Sequence, residues 1–119
     1  MFNEHIVGEP KNFFCERGGL HDALITAFSW NKENQVLSIG IDDLNRNFID
    51  LPEYKGLRPI EIVFQGVRNL DFNMQIARSS FGIYDLLVEE KTCFSINVKC
   101  FPGGYIKFQC EAVKLMNRM

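Results

Sequence analysis

Phe94-Ser95-Ile96-Asn97-Val98-Lys99-Cys100-Phe101-Pro102-Gly103-Gly104-Tyr105-Ile106-Lys107-Phe108-Gln109-Cys110-Glu111-Ala112 is the stretch that decides the fold class. Phe94, Ile96, Val98 and Cys100 fall on one face of an extended chain. Ile106, Phe108, Cys110 and Ala112 do the same after the turn, with Lys107, Gln109 and Glu111 opposite. A period of two over this length marks half-buried strands. Pro102-Gly103-Gly104 between them supplies glycines that reach the positive φ of a tight turn. The stretch reads as an antiparallel hairpin.

Working outward, residues 81–89 read as extended, with Tyr84, Leu86 and Val88 alternating against Asp85, Leu87 and Glu89. Residues 60–67 read as a strand carrying Ile60, Ile62 and Phe64 on one face, with a bulge at Gly66. Residues 23–30 and 36–41 form a second hairpin across the polar loop Asn31 to Gln35. Leu24, Phe28 and Trp30 share one face of its first strand, and Leu37, Ile39 and Ile41 one face of its second. Between 42 and 59 the chain is polar and broken by Pro52, Gly56 and Pro59, which predicts a long connection with a short extra strand near 47–51. From Asn69 to Ser80 the spacing of Met74, Ile76, Ala77 and Phe81 fits one short helical turn. Residues 1–20 read as irregular, with Phe13-Phe14 pinning them to the core and Gly18-Gly19 turning into the first long strand. The tail from Met116 to Met119 is expected to fray.

Six or seven sequential strands without βαβ spacing predict a mainly β fold. The expected architecture is an antiparallel β-sandwich or a strongly curved meander sheet, with at most one short helix; an α+β fold is the alternative. One domain is expected over residues 1–119. The length suits one core, and eleven Phe supply large side chains with no polar atom to satisfy. A net charge of −2, with basic residues scattered, gives no footprint for a nucleic-acid partner. No apolar run is long enough to span a membrane as a helix, and the N-terminus lacks a signal-peptide pattern. A cytoplasmic location is expected, with Cys15, Cys93, Cys100 and Cys110 as reduced thiols.

Five groups of residues could carry chemistry. His21-Asp22 could be a general base and its orienting acid. Neighbours on a strand point apart, however, so the plainer reading is a turn tied to a strand through backbone hydrogen bonds. His5, Cys15 and His21 are zinc-type ligands at spacings that match no zinc module, so no metal and no cofactor is expected. Asp43-Leu44-Asn45-Arg46-Asn47 opens like a calcium loop, but Phe48 and Tyr54 stand where Gly and Glu belong. It reads as a solvated loop. Cys15 beside Glu16 has no neighbour that clearly activates it, and Cys100 and Cys110 lie on a core stripe. The last group is a partner-binding surface: Trp30, Asp42, Asp43, Phe48, Asp50 and Tyr54 combine acids with aromatic hot-spot types.

Leu20-His21-Asp22-Ala23-Leu24-Ile25, leading into Phe28-Ser29-Trp30 and Leu37-Ser38-Ile39, resembles the start of several small bacterial β-rich domains. These carry a Leu-His-Asp-Ala or Leu-His-Asp-Ser signature, and some are immunity proteins of polymorphic toxin systems. The likeness covers Leu20 to Asp42. It implies a cytoplasmic protein that binds and blocks one toxin partner and has no catalysis of its own. Three readings of function follow: a non-enzymatic protein-binding domain of immunity type, a small enzyme or ligand-binding domain with a pocket around His21, and a structural homo-oligomer paired through an edge strand.

Overall fold

A computed structural model describes residues 4–74 and 81–117. Nine strands and one α-helix follow one another along the chain in the described residues. They are β1 (Glu4–Ile6), α1 (Pro10–Glu16), β2 (Ile25–Asn31), β3 (Val36–Ile41), β4 (Ile60–Gln65), β5 (Arg68–Met74), β6 (Gly82–Glu90), β7 (Phe94–Phe101), β8 (Gly104–Cys110) and β9 (Ala112–Asn117). Short 3-10 turns span Gly18–Leu20 and Arg46–Phe48. The fold is mainly β with one short helix, as the alternation predicts.

The strands form two antiparallel sheets, ordered β1-β9-β4-β3-β2 and β5-β8-β7-β6. Their inner faces share one core. Leu37, Ile39, Ile62, Phe64 and Leu115 from the first meet Leu86, Ile96, Val98, Ile106 and Phe108 from the second. The Phe64 and Phe108 rings pack edge to face at 4.8 Å between centroids. Each such buried side chain stabilises the fold by about 1.5–3 kcal/mol relative to exposure.

The sheets are joined by paired corners. β4 turns into β5 at Gly66, and β8 turns into β9 at Glu111, so the β4–β9 ladder continues as the β5–β8 ladder. Gly66 has φ +66°, and a Cβ there would collide with the Glu111 side chain. Backbone bonds Val67 N–H to Gln35 O and Glu111 N–H to Gln65 O, both 2.9 Å, hold the bend. The arrangement is a sandwich made by folding curved sheet on itself.

Several local expectations are corrected. Residues 10–16 are helical, not irregular: Pro10 occupies the start, where its missing N–H costs nothing, and Phe14 is fully buried. A helix of seven residues is held by that packing and not by propensity. The expected strand near 47–51 is a 3-10 turn at Arg46–Phe48 followed by further turns, because its N–H groups bond carbonyls three residues back: Phe48 to Asn45, Ile49 to Arg46 and Leu51 to Phe48. The expected helical turn fails over 69–74, which is edge strand β5 with Leu70, Phe72 and Met74 alternating against Asp71 and Asn73. Ile76 and Ala77 lie outside the described residues. Met116 and Asn117 are not frayed: they end β9, which sits between β1 and β4. Tyr84 does not share the buried face of Leu86 and Val88, because the β6–β7 register shifts between Ile83 and Asp85 and leaves Tyr84 as a bulge.

Candidate functional site

Within the connection 42–59, the stretch Asp43 to Asn47 is not solvated. Asp43 is fully buried and is its organising centre. Its Oδ1 accepts the backbone N–H of Asn45 at 2.9 Å and of Arg58 at 3.1 Å. Its Oδ2 accepts the Tyr54 hydroxyl at 2.7 Å and lies 3.6 Å from the Arg46 guanidinium. A buried charge is tolerated when paired and hydrogen-bonded in this way. Around it, Leu44 N–H donates to Arg58 O and the Asn45 amide donates to Gly56 O, both at 2.9 Å. The loop thus closes at its base between 43–45 and 56–58, an Ω-shaped loop. The hydrogen bond to Asp43 raises the Tyr54 pKa above its ordinary value, because the neutral phenol is the donor.

Asp42 performs a similar task one residue earlier. It accepts the Leu24 N–H and the Arg46 guanidinium, each at 2.8 Å, tying the loop entry to the start of β2. Gly18 lies against the Asn47 side chain, which docks the loop on the segment after α1. There, Arg17 stacks over Phe13 at 3.8 Å from the ring centroid, and burial lowers its pKa from the ordinary value.

Among the side chains that the loop presents outward are three large apolar ones. Ile49, Leu51 and Leu57 are 46%, 48% and 66% exposed. Asp50, Pro52 and Glu53 are exposed beside them in the chain, and Phe48 is half-buried. The sequence reading brought Asp42, Asp43, Phe48, Asp50 and Tyr54 to this loop, but Asp43 and Tyr54 shape it from within. Trp30 is not part of it. It lies near the turn of the β2–β3 hairpin, whereas Asp42 follows the opposite end. Ile49, Leu51 and Leu57 were missed; their signal was apolar residues set among Asp, Asn, Pro and Gly without a strand period.

His21 and Asp22 do touch, against expectation: Nε2 and Oδ1 are 3.4 Å apart. The reason is that they lie in a turn, with Asp22 at φ +72°, and not in a strand. His21 Nδ1 lies 2.7 Å from Tyr84 O. A carbonyl oxygen only accepts, so Nδ1 carries the proton. Tyr84 is the residue at the bulge in the β6–β7 pairing. Asp22 N–H donates to Ile83 O at 2.9 Å, and Ile83 N–H to Ala23 O at 2.8 Å. Residues 21–23 therefore clasp β6. The hollows at Asn97, at Gly19, at Phe48 and at Phe13 do not have His21 in their walls.

The chain matches no model of a known protein family, and no curated protein matches it.

Among the described residues, no three His, Cys, Asp or Glu side chains are gathered as metal ligands would be. All four cysteines are free. Cys15 is exposed, Cys100 and Cys110 are buried, and burial pushes the Cys110 thiol up to about 12. No helix among them is long and apolar enough to cross a membrane.

Proposed function

We propose that this domain is a protein-binding module that engages its partner through the Ω loop between Asp43 and Arg58. The observation that carries the reading is the exposure of Ile49, Leu51 and Leu57 on a loop locked from within by a buried carboxylate. Apolar side chains held in water on an ordered loop favour association, and the internal lock lowers the ordering cost of binding. The partner that fits is a folded protein with an apolar groove. The resemblance at Leu20–Asp42 supports the narrower reading: a cytoplasmic immunity protein whose partner is a toxin.

The His21 clasp gives that residue a structural role: its Nδ1–H is held by a backbone carbonyl, which leaves Nε2 as the remaining ring nitrogen beside Asp22. Self-association is favoured by one specific feature. Among the described residues, edge strand β5 pairs with β8 alone, and Phe72 on it is half exposed while its ring packs on Phe28.

The test uses immobilised protein and lysate of its own source cells, with neighbouring genes expressed. A stoichiometric partner should be captured by the wild type and lost from a Leu51→Asp/Leu57→Asp variant of unchanged stability. Co-expression of the domain should relieve growth arrest caused by that partner. Capture that survives the double substitution places the interface elsewhere. A protein that captures nothing, and whose mass shows a dimer, supports pairing through β5 in place of partner binding.

A further inference from the structure

The outward face of the four-stranded sheet carries a hollow of ≈ 350 Å³, on a different surface from the Ω loop and sharing no residue with it. That volume lies at the small end of ligand pockets, which span roughly 300–1,000 Å³. Two cross-strand rows line it. Leu87, Asn97 and Lys107 are register partners across β6, β7 and β8, and Glu89, Ser95 and Gln109 form the next row. Three strands at about 4.8 Å spacing make a floor about 10 Å wide.

We infer that this hollow binds a small neutral polyol of about monosaccharide size. Three observations argue for it. Asn97 Oδ1 is buried and accepts no hydrogen bond. An unmet buried acceptor costs about 1–3 kcal/mol, and a cost of this kind needs an explanation. The terminal torsion of an Asn side chain is soft, so a turn of the amide presents this oxygen to a donor in the hollow. Second, Asn69 Nδ2 donates to Gln109 Oε1 at 2.7 Å, which orients the Gln109 amide and leaves its N–H groups to donate. Third, the charges balance. Lys107 stands in one row and Glu89 in the other, with the Glu89 carboxylate 3.8 Å from Lys91. An ion of either sign meets repulsion as well as attraction there. A hydroxyl both donates and accepts, so adjacent hydroxyls answer the amides, Ser95 and the carboxylate together. Leu87, exposed on the wall, offers an apolar surface to the C–H face of such a ring.

The experiment is NMR titration of the Asn97 and Gln109 side-chain amides. D-glucose, D-galactose, D-mannose, N-acetyl-D-glucosamine and myo-inositol are each added to about 100 mM, a range that covers weak binding. At least one should give saturable shifts centred on these amides. Its affinity should fall about tenfold in Asn97→Leu, a loss of about 1.4 kcal/mol. Leu87→Arg, at an exposed position that fills the hollow without touching the core, should abolish the shifts with the fold intact. The inference is overturned if none of the five gives saturable shifts, if Leu87→Arg leaves the affinity unchanged, or if L-arginine or D-glucose 6-phosphate binds these amides more tightly than every neutral probe.

Discussion

His21 and Asp22 lie side by side, and a histidine next to a carboxylate invites a catalytic reading. The hydrogen bonds also give the pair a structural role. His21 Nδ1 answers the carbonyl of the bulged Tyr84, while the Nε2–Asp22 contact at 3.4 Å is exposed. An exposed pair contributes little, and a hydrogen bond to a backbone carbonyl about 0.5–1.5 kcal/mol. His21→Ala should therefore lower unfolding free energy by about 1 kcal/mol in urea titration, whereas Asp22→Asn, which keeps a residue at home in the left-handed region, should change it by less than about 0.5 kcal/mol. Equal losses in the two variants would sink the clasp interpretation. Cys110 makes a second prediction at this scale. Its proton leaves the unfolded chain near the ordinary value of 9.0 but stays on the folded protein to about pH 12. Between those values the folded state binds more protons, so stability is full below pH 9 and falls as pH rises. Cys100 and Tyr54 are shifted in the same direction. The urea midpoint should fall across this alkaline window, and the slope should be shallower in Cys110→Ala, even though that variant starts less stable from its lost packing.

At the scale of elements, the Ω loop shows how a long segment without strands can still be ordered. Its rigidity comes from one carboxylate that closes the base and holds Tyr54 across the loop. Removing that carboxylate leaves two backbone N–H groups and the Tyr54 hydroxyl without their acceptor, while Arg46 keeps Asp42. Asp43→Ala should cost several kcal/mol, about 1–3 for each buried donor left unpaired. Asp43→Asn keeps an oxygen for the Asn45 and Arg58 N–H groups and should cost less. Proteolysis of the native protein should show the difference in the loop: rapid cleavage between residues 48 and 57 in Asp43→Ala, slow cleavage in Asp43→Asn. Equal resistance in both would mean that the loop does not depend on Asp43.

Across the whole molecule, the pairing is strongly non-local. β1 pairs with β9, so residues near the two ends of the described chain must meet, and β9 also completes a ladder with β4. Loop-closure entropy is spent before such contacts contribute, and β-sandwich topologies fold in roughly milliseconds to seconds. Stopped-flow refolding should give a main phase in that range. A main phase of microseconds would contradict this topology. Among the described residues, the two sheets leave β1, β2, β5 and β6 at their borders, which is where self-association would begin if the chain pairs with itself.

Much of the fold was legible in period-two alternation, because a strand with one buried face must place apolar residues at every second position. The hairpins read at 94–112 and 23–41, the strand read at 60–67 and the mainly β class follow from that alone; the structure trims them to 94–110, 25–41 and 60–65. Alternation fails wherever the chain changes sheets or bulges. At Glu111 the inward-facing residues shift from Cys110 to Val113 and Leu115, and this change of phase concealed β9. At Tyr84 a single bulged residue broke the face assignment. The short helix α1 was hidden for another reason, since seven residues are held by the burial of Phe14 and not by their own propensity. For the candidate site, the sequence determined that residues 42–59 would be a polar, broken connection carrying Asp42, Asp43, Phe48, Asp50 and Tyr54. Only the tertiary structure decided that Asp43 turns inward and Ile49, Leu51 and Leu57 turn outward. That inversion depends on donors from Asn45, Tyr54 and Arg58 converging on one carboxylate, and convergence in space has no period along the chain.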